Sequence, residues 1–462
     1  MLSRLRALAA SPRGVLALLA LILVVGGALR AQQAIHGSGY QSADEKSYAK
    51  LAIDIAKHGN YGDATTNMSQ PLHWPPGAPA LFALAYKIHP SAHGSLKIQS
   101  VLWAQWVVGM LLIGVVFLLG RMLAGNAAGL IAATVIALYP PAIINTSQQL
   151  SEPLGALVLA VGLLAVAWAW RAGRWWRWGL AGLALGAAVL VRADLLVAPF
   201  LVALLVGIAL WRRVGRRPGL AAGGALAVGA VLALLPWTIY ASSHEHQFVP
   251  VTTGSGSALF VGTYLPGKGE TFDMKRKLAA ETRRRIKKAR SISEPLRIPA
   301  AYVLDAVAKR NPRLSHDSSL RKEGLRNIKR YVLNDPIGWA GLMWAKFERM
   351  WTRYARGGAM HTSWQLRVLH ILIVVASFGG LIFGLIRTRN VVLGAILAVI
   401  AWSTALHLLV VAQGRYNLPL MPILVTGGAA GWLLARRPAA AAAPGGAPPE
   451  PAPEPIAPAT TA

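Results

Sequence analysis

The chain has 462 residues and no Cys, with 55% hydrophobic and 14% charged residues, and 47 Lys+Arg against 18 Asp+Glu give a formal net charge of +29. A soluble domain carries about a quarter charged residues, so composition excludes an ordinary water-soluble enzyme. The absence of Cys excludes thiolate metal sites, thiol catalysis and disulfides. So much Leu, Ala and Val argues that the basic excess faces anionic lipid and not nucleic acid.

Apolar runs of roughly 20 residues, the length that crosses a bilayer, recur along the chain. They predict ten spans, at 14–29, 98–119, 127–145, 153–170, 178–192, 194–211, 219–240, 366–386, 391–412 and 416–435. The expected fold is all-α and polytopic, with amphipathic helices in two long outer segments. A membrane domain, 1–240, contains the first outer loop, 31–96. A basic outer region, 241–365, precedes the last three spans within 366–437, and the Ala/Pro/Gly-rich tail, 438–462, reads as disordered. Arg30 and two Gln follow the first apolar run in place of a small-residue cleavage site, so that run reads as an uncleaved span.

Short-loop cations set the orientation. With the N-terminus inside, Arg4, Arg6, Arg13, Arg121, Arg171, Arg174, Arg177, Arg212, Arg213, Arg216, Arg217, Arg387, Arg389, Arg436 and Arg437 all fall on the inner face. An odd number of spans would move some of them to the other side. The expected location is a bacterial inner membrane, with the long segments on the periplasmic side.

The first outer loop opens Ser42-Ala43-Asp44-Glu45-Lys46-Ser47-Tyr48. Tyr48, Leu51, Ala52 and Ile55 repeat at i, i+3, i+4, i+7, the signature of an amphipathic helix, and Gly59 is a natural stop. Asp44 and Glu45 precede Tyr48 by four and three residues and so project near the buried stripe. A partly desolvated carboxylate there suits a general base. Ser42-x-x-Glu45 reads equally as a capping box, with both acids matching the helix dipole. Next come His73-Trp74-Pro75-Pro76-Gly77. The prolines hold His73 and Trp74 at the start of the following helix, as cavity residues or as an interfacial anchor.

Ser151-Glu152-Pro153 opens the fourth span in a polar corner, Asn145 to Gln149, that suits a water-filled cavity. Arg192 and Asp194 share a turn and can pair with each other. Gln413-Gly414-Arg415-Tyr416 opens the last span; Arg415 opposes the inside-positive trend and needs an anion, such as a phosphate held by its planar fork. Gly414 leaves room there for a ligand to approach the backbone. The stretch 268–330 holds 19 Lys/Arg and 7 Asp/Glu and reads as a basic helix on anionic lipid or a dock for an acidic glycan.

Taken in order, these features resemble the GT-C superfamily of membrane glycosyltransferases. The features are a first span, an Asp-Glu loop with Tyr, a Pro-Pro-Gly-x-Pro turn, Ser-Glu-Pro at the fourth span, Pro236-Trp237 at the seventh and Gly-Arg-Tyr-x-Leu-Pro-x-x-Pro at the last. More narrowly, the chain resembles bacterial relatives of dolichyl-phosphate-mannose protein mannosyltransferases and of lipid A aminoarabinose transferases. The resemblance implies transfer of a sugar from a polyprenyl-phosphate donor, on the outer face, to a hydroxyl of a cell-envelope glycan, lipid or protein. It makes Asp44 the base with Glu45 beside it, Glu152 a second acid, and Arg415 with Tyr416 the donor-phosphate site, to which Arg192 is added. The aminoarabinose transferases carry Glu-Lys immediately before the paired prolines, where this chain has His73-Trp74, so specificity for that sugar is not expected. No nucleotide, metal or other cofactor is expected, and no nucleic-acid partner. The competing readings are a ligase or polymerase using a lipid-diphosphate oligosaccharide, and a lipid or sugar transporter. A transporter would place its polar groups near the bilayer midplane in related halves.

Overall fold

The computed structural model of the protein describes residues 11–37, 42–62, 71–89, 98–353 and 363–436. The tail from Pro438, together with Arg4, Arg6 and Arg437, lies outside the described residues. All regular elements among the described residues are helical.

α1 (Pro12–His36) starts where Ser11 Oγ accepts the Gly14 N–H at 3.0 Å. α2 (Ala43–His58) and α3 (Gly77–Ile88) belong to the first loop, followed by α4 (Ile98–Ala124), α5 (Asn126–Leu138) and α6 (Pro140–Ile144). α7 (Glu152–Ala172), α8 (Trp175–Val191), α9 (Ala198–Val214) and α10 (Arg216–Glu245) complete the first part of the bundle. The 241–365 region supplies α11 (Ser255–Thr263), α12 (Thr271–Arg285), α13 (Ala300–Ala308), α14 (His316–Asn334) and α15 (Pro336–Thr352). α16 (Trp364–Thr388), α17 (Val391–Leu409) and α18 (Met421–Ala435) end the described chain.

Among the described residues, seven helices are long and apolar enough to cross a membrane, and the bent pair α5 and α6 makes an eighth. These stand at eight of the ten expected spans. At the other two, 178–192 and 416–435, α8 and α18 have 17 and 15 residues. At about 1.5 Å per residue they fall short of a ~30 Å hydrocarbon core, so by length alone seven or eight of the ten expected spans are supported, although Arg192 after α8 and Arg415 before α18 both still reach Glu152 at the start of α7. Polar sequence is the reason: Arg192 ends α8, and the tight turn Gly414–Asn417 delays α18 until Met421.

The break between α5 and α6 has a direct sequence cause. Pro140 and Pro141 carry no N–H, so the carbonyls four residues earlier, of Ile136 and Ala137, lose their helical donors. Arg30 replaces both: its Nη2 donates to Ile136 O at 2.8 Å and its Nη1 to Ala137 O at 2.9 Å. The chain bends there by 58°. In apolar surroundings an unpaired carbonyl costs several kcal/mol, and Arg30 removes that cost from inside the bundle.

One large apolar core runs through α4, α5, α7 to α9 and α16 to α18. Smaller cores dock the loop helices. Tyr48, Ala52, Phe82 and Tyr86 fix α2 and α3 against Val101 and Leu150, and Phe260, Met274, Val303 and Leu320 join α11 to α14. Association within lipid relies on close backbone packing by small residues. A Cβ at Gly182 of α8 would stand 2.0 Å from Leu226 O of α10, and one at Gly384 of α16 would stand 2.3 Å from the Gly431 Cα of α18. Gly182→Val is therefore expected to lower the unfolding midpoint in detergent, at a cost of about 1–3 kcal/mol or more for overpacking. An unchanged midpoint would contradict this contact.

A candidate active site at one end of the bundle

α2 begins at Ser42, whose Oγ accepts the Glu45 N–H at 3.3 Å and donates to Glu45 Oε1 at 2.9 Å. Ser42 is thus the N-cap of α2, with Glu45 turned back onto its hydroxyl, and Gly59 closes the helix with φ 71°. Glu45 Oε2 accepts the Gln149 N–H at 3.2 Å, and Tyr48 Oη donates to Ser151 Oγ at 3.2 Å. Both contacts pin α2 onto the polar corner that starts α7. Burial beside Glu152 raises the Tyr48 pKa, so its phenol stays a donor.

With α2 held this way, its two acids diverge. Glu45 is buried, 1% exposed, and is not among the residues lining the cavity described next. There it acts as a clamp that holds α2, and with it Asp44, in place. Asp44 faces outward into a cavity of about 740 Å³, which is also lined by His73, Trp74, Glu152, Arg192, Arg415 and Tyr416.

Charge organises this cavity. Arg415 Nη2 donates to Asp44 Oδ2, and Arg415 Nε lies 3.7 Å from Glu152 Oε1. Arg192 Nη1 is also 3.7 Å from Glu152 Oε1, while its Nε donates to Asp194 Oδ1 at 3.0 Å. The expected Arg192–Asp194 pair is therefore present and extended by Glu152. Tyr416 lies under both guanidinium groups, 5.6 Å from Arg415 Cζ and 5.8 Å from that of Arg192. Burial alone would lower the Arg415 pKa, but Glu152, Tyr416 and Asp44 outweigh it and hold it above the ordinary value.

The backbone room at Gly414 is already taken. A Cβ there would lie 2.8 Å from Arg353 O, so the close approach is made by the chain itself and not by a ligand. Asn417 reinforces this seat, its Nδ2 donating to Met350 O at 2.6 Å.

Residues 247–254 form one wall of the cavity. Trp237 Nε1 donates to Val251 O at 2.6 Å, Thr238 Oγ1 to Pro250 O at 2.7 Å, and Thr253 N to Leu72 O at 2.9 Å. Gly254, with φ 86°, sits against His73; a Cβ there would be 2.0 Å from His73 Nδ1. His73 is thus no solvated interfacial residue, and burial lowers its pKa despite Asp44 and Asp317.

Sequence reasoning missed Asp317, Arg321 and His407, which also line the cavity. Asp317 caps α11 by accepting the Gly256 N–H at 2.8 Å, and nothing in its local sequence signals that long-range pairing. Arg321 belongs to the basic 268–330 stretch, read from composition as a surface.

Residues 73–240 match the family described as dolichyl-phosphate-mannose-protein mannosyltransferase. The match includes His73, Trp74, Glu152 and Arg192 and stops short of Asp44 and Arg415. No curated protein matches the chain by sequence. Among solved structures, the oligosaccharyltransferase of Archaeoglobus fulgidus in its apo form aligns at TM-score 0.56 and 17% identity over 90% of this chain and 50% of that one. The same archaeal enzyme, AglB, in complex with an inhibitory peptide and a dolichol-phosphate aligns at TM-score 0.55 and 16% identity, over 90% and 50%. ArnT from Cupriavidus metallidurans, bound to undecaprenyl phosphate, aligns at 15% identity over 91% and 78%, with a TM-score of 0.39. The chain therefore spans about half the length of the archaeal enzyme and shares its fold. The resemblance to GT-C membrane glycosyltransferases is borne out by the family match and by this shared fold.

Behind the wall formed by Leu406, His407, Val410 and Val411 lies Lys346, 0% exposed. Its Nζ donates to Gly262 O at 3.0 Å and to Leu408 O, tying α15 to α11 and α17. Burial, with Arg349 nearby, pushes its pKa down from 10.5 to about 7. Between those two values the unfolded chain keeps a proton that the folded protein has released, so stability rises with pH. The unfolding midpoint in detergent is expected to climb from about pH 7 to 9 in the wild type more steeply than in Lys346→Met; parallel curves would contradict this assignment.

Proposed function

We propose that the protein is an integral-membrane glycosyltransferase that moves a sugar from a polyprenyl-phosphate donor to a hydroxyl acceptor. The observation that carries this reading is the gathering of Asp44, Glu152, Arg192 and Arg415 in one cavity at a single end of the bundle. Glu152 opens α7 and Arg171 lies in its last turn. Nineteen residues apart at about 1.5 Å each, the acid and the basic inner-face cluster stand about 30 Å from each other along the helix.

In this reaction the acceptor oxygen forms a bond to the anomeric carbon as the bond from that carbon to the phosphate oxygen breaks. The acceptor proton passes to Asp44, the general base. The bonding pair leaves with the polyprenyl phosphate, whose charge Arg415 and Arg192 stabilise. Arg415 already pairs with Asp44, so the arriving phosphate competes for its fork and frees the carboxylate to accept a proton. Glu152, between the two guanidinium groups, holds them apart and aimed at the cavity. His73 and Trp74 offer a neutral wall for the sugar, and Tyr416 backs the phosphate. The arginines supply the cationic charge, so a divalent metal is not required and a chelator is expected to leave turnover unchanged.

We assign the site to the periplasmic face of a bacterial inner membrane, the acceptor to a cell-envelope glycan, lipid or protein, and the basic outer surface to anionic lipid. The fold shared with an oligosaccharyltransferase favours one second reading, transfer of an oligosaccharide from a lipid-diphosphate carrier. Purified protein assayed with both donor classes separates them by product mass. Asp44→Asn is expected to lower turnover about a hundredfold or more, the scale of a lost general base, with folding retained; near-normal turnover rejects the role.

Arg415→Lys is expected to weaken donor use about tenfold or more, about 1.4 kcal/mol, because an ammonium cannot reproduce a two-point contact. Wild-type kinetics for that variant would leave Arg415 a structural anchor. A periplasm-only reporter is expected to be active within 270–330 and silent after Arg121, Arg217 or Arg437; activity after Arg217 would reverse the orientation.

A further inference from the structure

Behind Glu152, on the side away from the cavity, is a chamber of about 30 Å³. Arg30, Gln105, Asn145, Thr146 and Glu152 supply its polar lining. Arg30 is 1% exposed, Gln105 0%, Asn145 4% and Glu152 3%. Four polar atoms of these side chains find no hydrogen-bond partner among the described residues: Arg30 Nε, Gln105 Oε1, Asn145 Oδ1 and Glu152 Oε2.

Each such atom left alone is costly, and more so where it carries charge. Four of them, from three separate parts of the chain, line one small space. Holding a water needs about 10–15 Å³ and two to four polar partners, and the chamber meets both conditions. The donors and acceptors also balance. One water accepts from Arg30 Nε and donates to Glu152 Oε2 and one amide oxygen; a second donates to the other.

The charge distribution gives this space a role. Arg30 spends its Nη1 on Gly26 O at 3.1 Å and on Ala137 O at 2.9 Å, and its Nη2 on Ile136 O. Among the described residues it makes no ion pair, and Glu152 is the carboxylate on its chamber. Glu152 is therefore double-sided: Oε1 faces Arg192 and Arg415, and Oε2 faces the chamber. Gly109 makes the slot for Arg30, since a Cβ there would lie 2.9 Å from its Cδ and Nε.

We propose that this chamber is an internal hydration site whose water links Arg30 to Glu152 and makes Arg30, Gln105 and Asn145 positioning residues for that carboxylate. The water bridge keeps the Glu152 carboxylate turned between the two cavity arginines. This rests on reading Glu152 as part of the transferase site. The groups that bear on Glu152 are Arg192 after α8, Arg415 and Tyr416 before α18 and Tyr48 on α2, while Arg30 on α1 and Tyr139 share its chamber.

Two readouts test it. In the full-length protein in detergent, unfolding midpoints are measured for Arg30→Gln, Glu152→Gln and the double variant. A water-bridged pair is non-additive, so the double variant is expected to lose clearly less than the sum of the singles. The second readout is the pH profile of turnover with a synthetic polyprenyl-phosphate sugar. Asn145→Leu removes one acceptor and fills the chamber without touching the carbonyls that Arg30 caps. It is expected to move the acidic limb up by about one unit, a tenfold change in proton affinity, while Arg30→Lys moves it less than Arg30→Gln does. Additive midpoints together with an unshifted limb overturn the link. If no donor is turned over by the wild type, the functional reading falls, and additive or non-additive midpoints still decide the link on their own.

Discussion

A charged side chain at the boundary of an apolar bundle has to find its counter-charge inside the protein. That requirement shapes the site. Arg192 follows α8, Glu152 opens α7, Arg415 precedes α18 and Asp44 rides on a loop helix, yet the four stand as one chain of alternating sign. Ion pairs gain strength where the dielectric is low and lose heavily when one partner is removed. The network therefore fixes where the helix ends must stop. It explains why α8 and α18 are short: each gives up apolar length so that an arginine can reach the shared carboxylate.

Much of this was legible in the sequence, because it rests on local rules. The period of α2, its Ser42 cap and its Gly59 stop follow from residue order alone, as do the long apolar helices. Asp44, Glu152 and Arg415 stood out because each is a polar residue where an apolar pattern turns. What was not legible depends on pairing across hundreds of residues. The sequence showed that Arg415 needs an anion, and composition could not say that Asp44, 371 positions away, supplies it. Likewise Asp44 and Glu45 are neighbours with the same chemistry, and only the docking of α2 onto Gln149 and Ser151 separates a cavity carboxylate from a buried clamp.

The wall made by residues 247–254 shows how a distant proline motif serves the site. Pro236 lies inside α10, and the residues just after it, Trp237 and Thr238, turn their donors onto Val251 and Pro250. The same segment bonds Leu72 and rests on His73. A span end, an outer-loop turn and a cavity wall are thus one mechanical unit, and the sugar side of the cavity is shaped by a helix that lends it no charge.

The junction of Arg30 with Pro140 and Pro141 has a consequence for how this chain can change over time. A chain that acquired the two prolines without the arginine would leave two carbonyls stranded in apolar surroundings. One that kept the arginine beside an unbroken helix would bury a cation with only the Gly26 carbonyl to receive its protons. Neither half is tolerable alone, so the three positions are locked against stepwise replacement, although more than a hundred residues separate them. Substitutions here should be inherited together or not at all, and a helix grafted from another protein into 126–147 would have to bring its own answer to Arg30.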